Sequence, residues 1–118
     1  MATDHPPREE HATGEDASRE ALERVRARIA DVDERLIRMI GERRALVLEV
    51  GRLKAVLGLP VLDPAQEAKV VRSAAVRARE LGVDEEATRD VIWRIIASAR
   101  ATQEGRPAGW PDPGGDSG

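Results

Sequence analysis

Leu36-Ile37-Arg38-Met39-Ile40-Gly41-Glu42-Arg43-Arg44-Ala45-Leu46-Val47-Leu48-Glu49-Val50-Gly51-Arg52-Leu53-Lys54 reads as helix, because its apolar residues recur at spacings of three and four. At about 100° per residue, Leu22, Val25, Ile29, Val32, Leu36, Ile40, Val47 and Val50 fall within roughly 40° of the azimuth of Lys54, and Arg43 falls within roughly 20° of it. Two cations therefore occupy positions where an amphipathic helix places leucines.

The pattern extends in both directions from this stretch. No proline occurs between Asp16 and Pro60, and the periodicity runs to about Val56 with only Gly41 and Gly51 as interruptions. Asp16 or Ser18 can cap the helix, with Glu20 to Glu23 near its positive end. A helix of nearly forty residues would span on the order of 55 to 60 Å, about twice the diameter of a small domain. It cannot bury its stripe alone, which points to a coiled coil or an intertwined dimer.

Gly58-Leu59-Pro60 predicts the end of this helix. Asp63-Pro64-Ala65-Gln66 predicts the start of a second, with Asp63 as N-cap, Pro64 at the first helical position and Gln66 placed for a capping box. That helix runs to about Glu80 and closes at Gly82. Asp84 caps a third, which runs to roughly Gln103 or Glu104 with Ile92, Ile96, Ala99 and Gln103 on one stripe. Residues 1–17 lack apolar periodicity and are expected to be a disordered lead-in, and the Gly/Pro-rich residues 105–118 a disordered tail. The expected fold is all-α: three helices, long-short-medium, over residues 18–104, forming an intertwined helical homodimer.

Composition excludes several kinds of function. The 118 residues include no cysteine, so disulfide and thiolate chemistry are out. Nineteen basic and 22 acidic residues are interspersed, giving a formal charge of −3, which argues against nucleic-acid or membrane-surface binding. The only aromatic residues are Trp93 and Trp110, too few for base-stacking platforms. His5 and His11 lie in the N-terminal stretch without metal-ligand spacing, so no metal is expected. No charged n-region with an apolar h-region appears and no run of about 18 apolar residues, so a cytoplasmic location is expected.

Four polar residues interrupt apolar faces. Arg43 and Lys54 sit on the long stripe, Glu67 heads the stripe of the second helix (Val70, Val71, Ala74, Ala78, Leu81), and Gln103 ends that of the third. A buried polar group costs roughly 1 to 3 kcal/mol when unpaired, and a buried charge costs more. Two readings satisfy these groups. One is an internal salt-bridge network, with stripe-end residues such as Lys54 and Gln103 reaching water. The other is a polar pocket for a small anionic ligand. Arg26 lies 17 residues before Arg43, about 26 Å along a helix, so one small ligand cannot touch both on the same helix.

The pattern resembles the all-helical (AroQ-class) chorismate mutases. The matching residues are Arg26-x-x-Ile29-x-x-x-Asp33-x-x-Leu36, Glu42-Arg43-Arg44, Val50-Gly51-x-x-Lys54, Pro60-Val61-x-Asp63-x-x-x-Glu67, Ile95-Ile96 and Thr102-Gln103. The resemblance covers about residues 22 to 104. It implies a Claisen rearrangement of chorismate to prephenate, in phenylalanine and tyrosine biosynthesis, which requires no nucleophile, metal or cofactor. Carried over residue by residue, it implies that Arg43 and the partner subunit's Arg26 hold the two substrate carboxylates. Lys54 and Gln103 would donate to the ether oxygen, and Glu67 with the backbone of Asp63 would hold the ring hydroxyl. Two positions depart from the pattern: many relatives have arginine at Gln66, which the capping box explains here without ligand contact, and some have serine at Ala99.

The same resemblance leaves two sister chemistries open, isochorismate pyruvate-lyase and 4-amino-4-deoxychorismate mutase, because Glu67 suits a ring hydroxyl or an amino group. A reading of another class is a weakly active or non-catalytic helical dimer that acts through a pathway partner enzyme, with the tail from Gly105 available for docking.

Overall fold

The computed structural model describes residues 5–103, and among them the secondary structure is entirely helical. Three helices follow in the order expected: α1 (His5–Leu57), α2 (Pro64–Glu80) and α3 (Glu85–Gln103). The tail expected over 105–118 lies outside the described residues. One boundary is corrected: α1 begins at His5, not at Asp16 or Ser18, so the lead-in expected over 1–17 is helical from His5 onward. Pro6 and Pro7 fall in its first turn, where backbone N–H groups have no intrahelical acceptor to lose. Arg8, Glu9, Glu10 and Ala12 that follow are good helix formers, although they carry no apolar stripe.

The chain divides into two compact units, Met1–Gly41 and Glu42–Gly118. The described part of the first unit is a single helical segment. Its apolar stripe is uncovered: Leu22, Val25, Ile29, Val32 and Leu36 are each between 48% and 54% exposed. A lone helix has nothing to bury such residues against, so the stripe predicted from periodicity is present but unpartnered within the unit.

The second unit carries the core. There α2 and α3 pack on each other through Ala75, Ala78, Ile96 and Ala99, all buried. Three of the four are alanine, which lets the two helix backbones approach closely. Leu81, expected on the α2 stripe, is instead exposed, because it is the C-cap residue and lies past the last helical turn.

The caps set where each helix stops. At the end of α1, Gly58 takes a φ of 71°, Leu59 N donates to Lys54 O at 2.8 Å and Gly58 N to Ala55 O at 3.2 Å. The end of α2 repeats the arrangement: Gly82 has φ 72°, Val83 N donates to Ala78 O at 2.8 Å and Gly82 N to Arg79 O at 3.2 Å. Both are Schellman motifs, in which a left-handed residue lets the chain turn back and satisfy orphan carbonyls. Asp63 caps α2 by accepting from Gln66 N at 3.1 Å, and Asp84 caps α3 by accepting from Ala87 N at 2.8 Å. The α2–α3 turn is further closed by an ion pair between Arg79 and Glu85, whose hydrogen bond and charge raise the Arg79 guanidinium above its ordinary pKa.

No atom lies within 4 Å of the place a side chain at Gly82 would occupy, so only its backbone angle resists substitution. Gly82→Ala is expected to lower stability by about 1 to 2 kcal/mol through that strain alone. Urea denaturation of wild type and variant, with an unchanged helical signal before the transition, measures it.

Candidate active site

The polar residues singled out by periodicity converge within the second unit. A cavity of about 290 Å³ is lined from α1 by Arg43, Val47, Val50 and Lys54, from the connecting loop by Val61 and Asp63, and from α2 and α3 by Gln66, Glu67, Val70, Ile96, Ala99 and Gln103. Its size is near the lower end of small-ligand sites, and its wall is divided between aliphatic and polar side chains, six of each. Six of the seven residues assigned to a site from sequence are on it: Arg43, Lys54, Asp63, Glu67, Ala99 and Gln103. Arg26 is not. It belongs to the first unit and is exposed, with Nη1 3.1 Å from Glu23 Oε1.

Arg43 and Lys54 share the wall because they lie eleven residues apart, close to three helical turns. Neither is fully buried, and no polar residue is fully buried among those described. This corrects the expectation of cations sunk in an interior: the stripe opens onto a cavity, and the cations border it. Among the described residues no carboxylate pairs with either cation within 4 Å. An internal salt-bridge network therefore does not account for them.

Lys54 occupies a doubly tied position. Its carbonyl accepts from Leu59 N, and its Nζ lies 3.5 Å from Val61 O as a donor. Backbone and side chain of one residue thus hold both ends of the 59–61 segment against the last turn of α1. The cation also sits at the negative end of the helix dipole, where its charge is favoured.

Gln103 reaches across from α3. A Cβ at Gly51 would stand 3.4 Å from Gln103 Nε2 and 3.9 Å from Val61 Cγ1, so the bare glycine forms the floor under the amide. Glu67, with a side chain only 16% exposed, sits opposite Arg100, whose Nε is 3.8 Å from Glu67 Oε2. The other oxygen, Glu67 Oε1, is buried without a hydrogen-bond partner. Such an atom is costly in an empty site and useful in a filled one, because a donor on a ligand would satisfy it.

Sequence reasoning missed three participants. Gln66 lines the cavity, which corrects the capping-box reading that gave it no ligand contact: only its backbone N–H meets Asp63 among the described hydrogen bonds, and its side chain is left available. Val61 contributes a carbonyl, which no side-chain pattern announces. Arg100 is one of many arginines on polar helix positions, and its pairing with Glu67 depends on how α2 and α3 are registered.

The chain matches the family model described as chorismate mutase type II over residues 25–104. It is 33% identical over 82 residues to the T-protein of Enterobacter agglomerans, covering 70% of this chain and 22% of that protein. It is 28% identical over 85 residues to the chorismate mutase of Methanocaldococcus jannaschii, covering 72% of this chain and 86% of that protein. A secreted chorismate mutase of Yersinia pestis is 35% identical over 79 residues, covering 64% of this chain and 42% of that protein. The chain spans about a fifth of the length of the T-proteins it matches. No solved structure matches it.

The floor contact is open to test without any ligand. Gly51→Val places two methyl groups beyond a Cβ that is already in contact with the Gln103 amide. The side-chain amide resonances of Gln103 are expected to shift, while the backbone amides around Gly82 stay in place.

Proposed function

The chain belongs to the type II chorismate mutase family, and from that premise we propose that it rearranges chorismate to prephenate, by conformer selection and electrostatic stabilisation. One observation carries the reading. Arg43, Lys54, Glu67 and Gln103, each an interruption of an apolar stripe, line one cavity, and the two cations there have no carboxylate partner among the described residues.

The proposed chemistry follows from these groups. A pericyclic step needs the substrate held in its compact, chair-like conformer, so that the bond-forming carbons meet. Arg43 clamps one carboxylate, its planar fork fixing orientation as well as charge. Negative charge grows on the ether oxygen as the C–O bond breaks. Lys54 Nζ and Gln103 Nε2 donate to that oxygen, where donation strengthens in the transition state and so lowers the barrier. The loose Lys54–Val61 contact of 3.5 Å steadies the ammonium without consuming its three donors. Glu67 accepts from the ring hydroxyl through its unpartnered oxygen, and the Asp63 backbone assists.

Charge balance supports a second copy. With Arg100 beside Glu67 counted, Arg43, Lys54 and Arg100 against Asp63 and Glu67 leave a net charge of +1, one short of balancing a dianion. We assign the missing cation to the partner subunit's Arg26 in an intertwined homodimer. The half-exposed stripe from Leu22 to Leu36 is the surface such a dimer would bury. A cytoplasmic location belongs to the same proposal; no helix of the described residues is long and apolar enough to cross a membrane, and cell fractionation checks the compartment.

Purified protein is expected to consume chorismate without added metal or cofactor, and in preference to isochorismate and 4-amino-4-deoxychorismate. Lys54→Ala is expected to lower kcat by roughly two to three orders of magnitude with helicity retained, the usual loss for one oxyanion donor. An inert wild-type protein, or a fully active Lys54→Ala, refutes the assignment. The shared site has its own test: Arg26→Ala and Arg43→Ala proteins, each inactive, are refolded together. If sites form across two copies, the mixture regains about a quarter of wild-type activity, since half the dimers are mixed and each has one intact site. Sedimentation analysis of the same samples reports the dimer.

A further inference from the structure

Arg100 is absent from the cavity wall, yet it is the cation within 4 Å of the cavity's best-buried carboxylate. It follows Ala99 on α3 and comes three residues before Gln103, so one turn of α3 carries a wall residue, this arginine and a proposed donor. Its Nε is 3.8 Å from Glu67 Oε2, too far for a hydrogen bond, whose N···O distance is normally about 2.9 to 3.0 Å. Arg100 Nε and Glu67 Oε1 are both buried with no hydrogen-bond partner. The pair is thus held by charge rather than by directed bonds, and it leaves one carboxylate oxygen uncommitted.

That arrangement has a chemical consequence. Burying a carboxylate as an anion is costly unless an opposite charge stands close to it. An ionised carboxylate only accepts hydrogen bonds, whereas a protonated one also offers an O–H. A guanidinium that attracts Oε2 without a directed bond leaves Oε1 available as an acceptor for whatever ligand group meets it. A ring substituent bearing a proton is then favoured, and one without a donor would leave Oε1 orphaned.

We infer that Arg100 is a positioning residue that aims Glu67, drawing Oε2 to itself and leaving Oε1 unpartnered, and so sets the site's preference for a ligand carrying a hydrogen-bond donor at that ring position. The inference rests on the chorismate reading above. Arg100 touches no substrate in this scheme; it acts through Glu67 alone. The ring hydroxyl is not involved in bond breaking, so the interaction contributes equally to ground and transition states.

A double-mutant cycle with steady-state kinetics on chorismate tests this, using Arg100→Met, Arg100→Lys, Glu67→Gln and the pair Arg100→Met with Glu67→Gln. Arg100→Met is expected to raise KM roughly five- to tenfold with kcat within about twofold of wild type, the signature of lost uniform binding. Arg100→Lys should restore most of the loss, because it returns the charge. In the Glu67→Gln background, Arg100→Met should change KM by less than about twofold, since a residue acting only through Glu67 has nothing left to act on. Equal losses in both backgrounds, or no change in KM, overturn the inference while leaving the mutase assignment intact. A wild-type protein inert toward chorismate removes both. Circular dichroism accompanies each variant, and Arg100→Gln replaces Arg100→Met in the cycle if the latter does not fold.

Discussion

The site depends on how α1 ends. Gly58 in the left-handed region turns the chain so that Leu59 N returns to Lys54 O. The same Lys54 extends its ammonium to Val61 O. Two residues later Asp63 caps α2 through Gln66 N, which starts the helix that carries Glu67. A six-residue connection is thus fixed at its start, middle and end, and α2 receives its starting point from the last turn of α1. If the left-handed turn were lost, Lys54 would lose the contacts to Leu59 and Val61 that place it relative to Asp63 and Glu67. A loop positioned so tightly costs conformational entropy, and here hydrogen bonds at every second or third residue offset it.

Most of this was legible before any coordinates. Glycine after an apolar run and Asp-Pro at a helix start report local backbone requirements, and local requirements are written in adjacent residues. The wall of the cavity was legible for a different reason. Arg43, Lys54, Glu67 and Gln103 violate the periodicity of their own helices, and a violation of that kind marks either a pairing or a site. What was not legible is nonlocal or carries no side-chain signal. The carbonyl of Val61 is the same in any residue, and the facing of Arg100 and Glu67 follows from the register of α2 against α3. The start of α1 at His5 was missed because helix propensity without an apolar stripe leaves no periodic trace. The capping box expected at Gln66 is half present: its backbone N–H donates to Asp63, but no described hydrogen bond returns from its side chain, which lines the cavity instead.

The two units pose different physical problems. In the second, alanines between α2 and α3 bring backbones together and leave the larger valines and Ile96 around the cavity, so packing and pocket arise from one choice of small residues. The first has an apolar stripe and no element of its own to bury it against. Each stripe residue there is about half exposed, and every methylene left in water forgoes about 0.8 kcal/mol. A sequence that maintains such a stripe over several turns pays for it only if something covers it. The proposed dimer answers this and the charge deficit of the cavity with one assembly, because the covering helix is also the one that bears Arg26.

The division of labour among the cavity's charges follows from distance and burial. Arg43 and Lys54 are partly exposed and, among the described residues, unpaired by carboxylates, which suits the ligand-binding role proposed for them. Glu67 is the opposite case, well buried and held by Arg100 at a separation that gives attraction without a directed bond. Had Arg100 bound both oxygens in a bidentate fork, Oε1 would already have a partner and less acceptor capacity to offer a ligand. Had it been absent, the buried carboxylate would have no opposite charge beside it. At 3.8 Å the pair lies between these limits. One carboxylate oxygen stays without a partner, an acceptor that the proposed ring hydroxyl can meet.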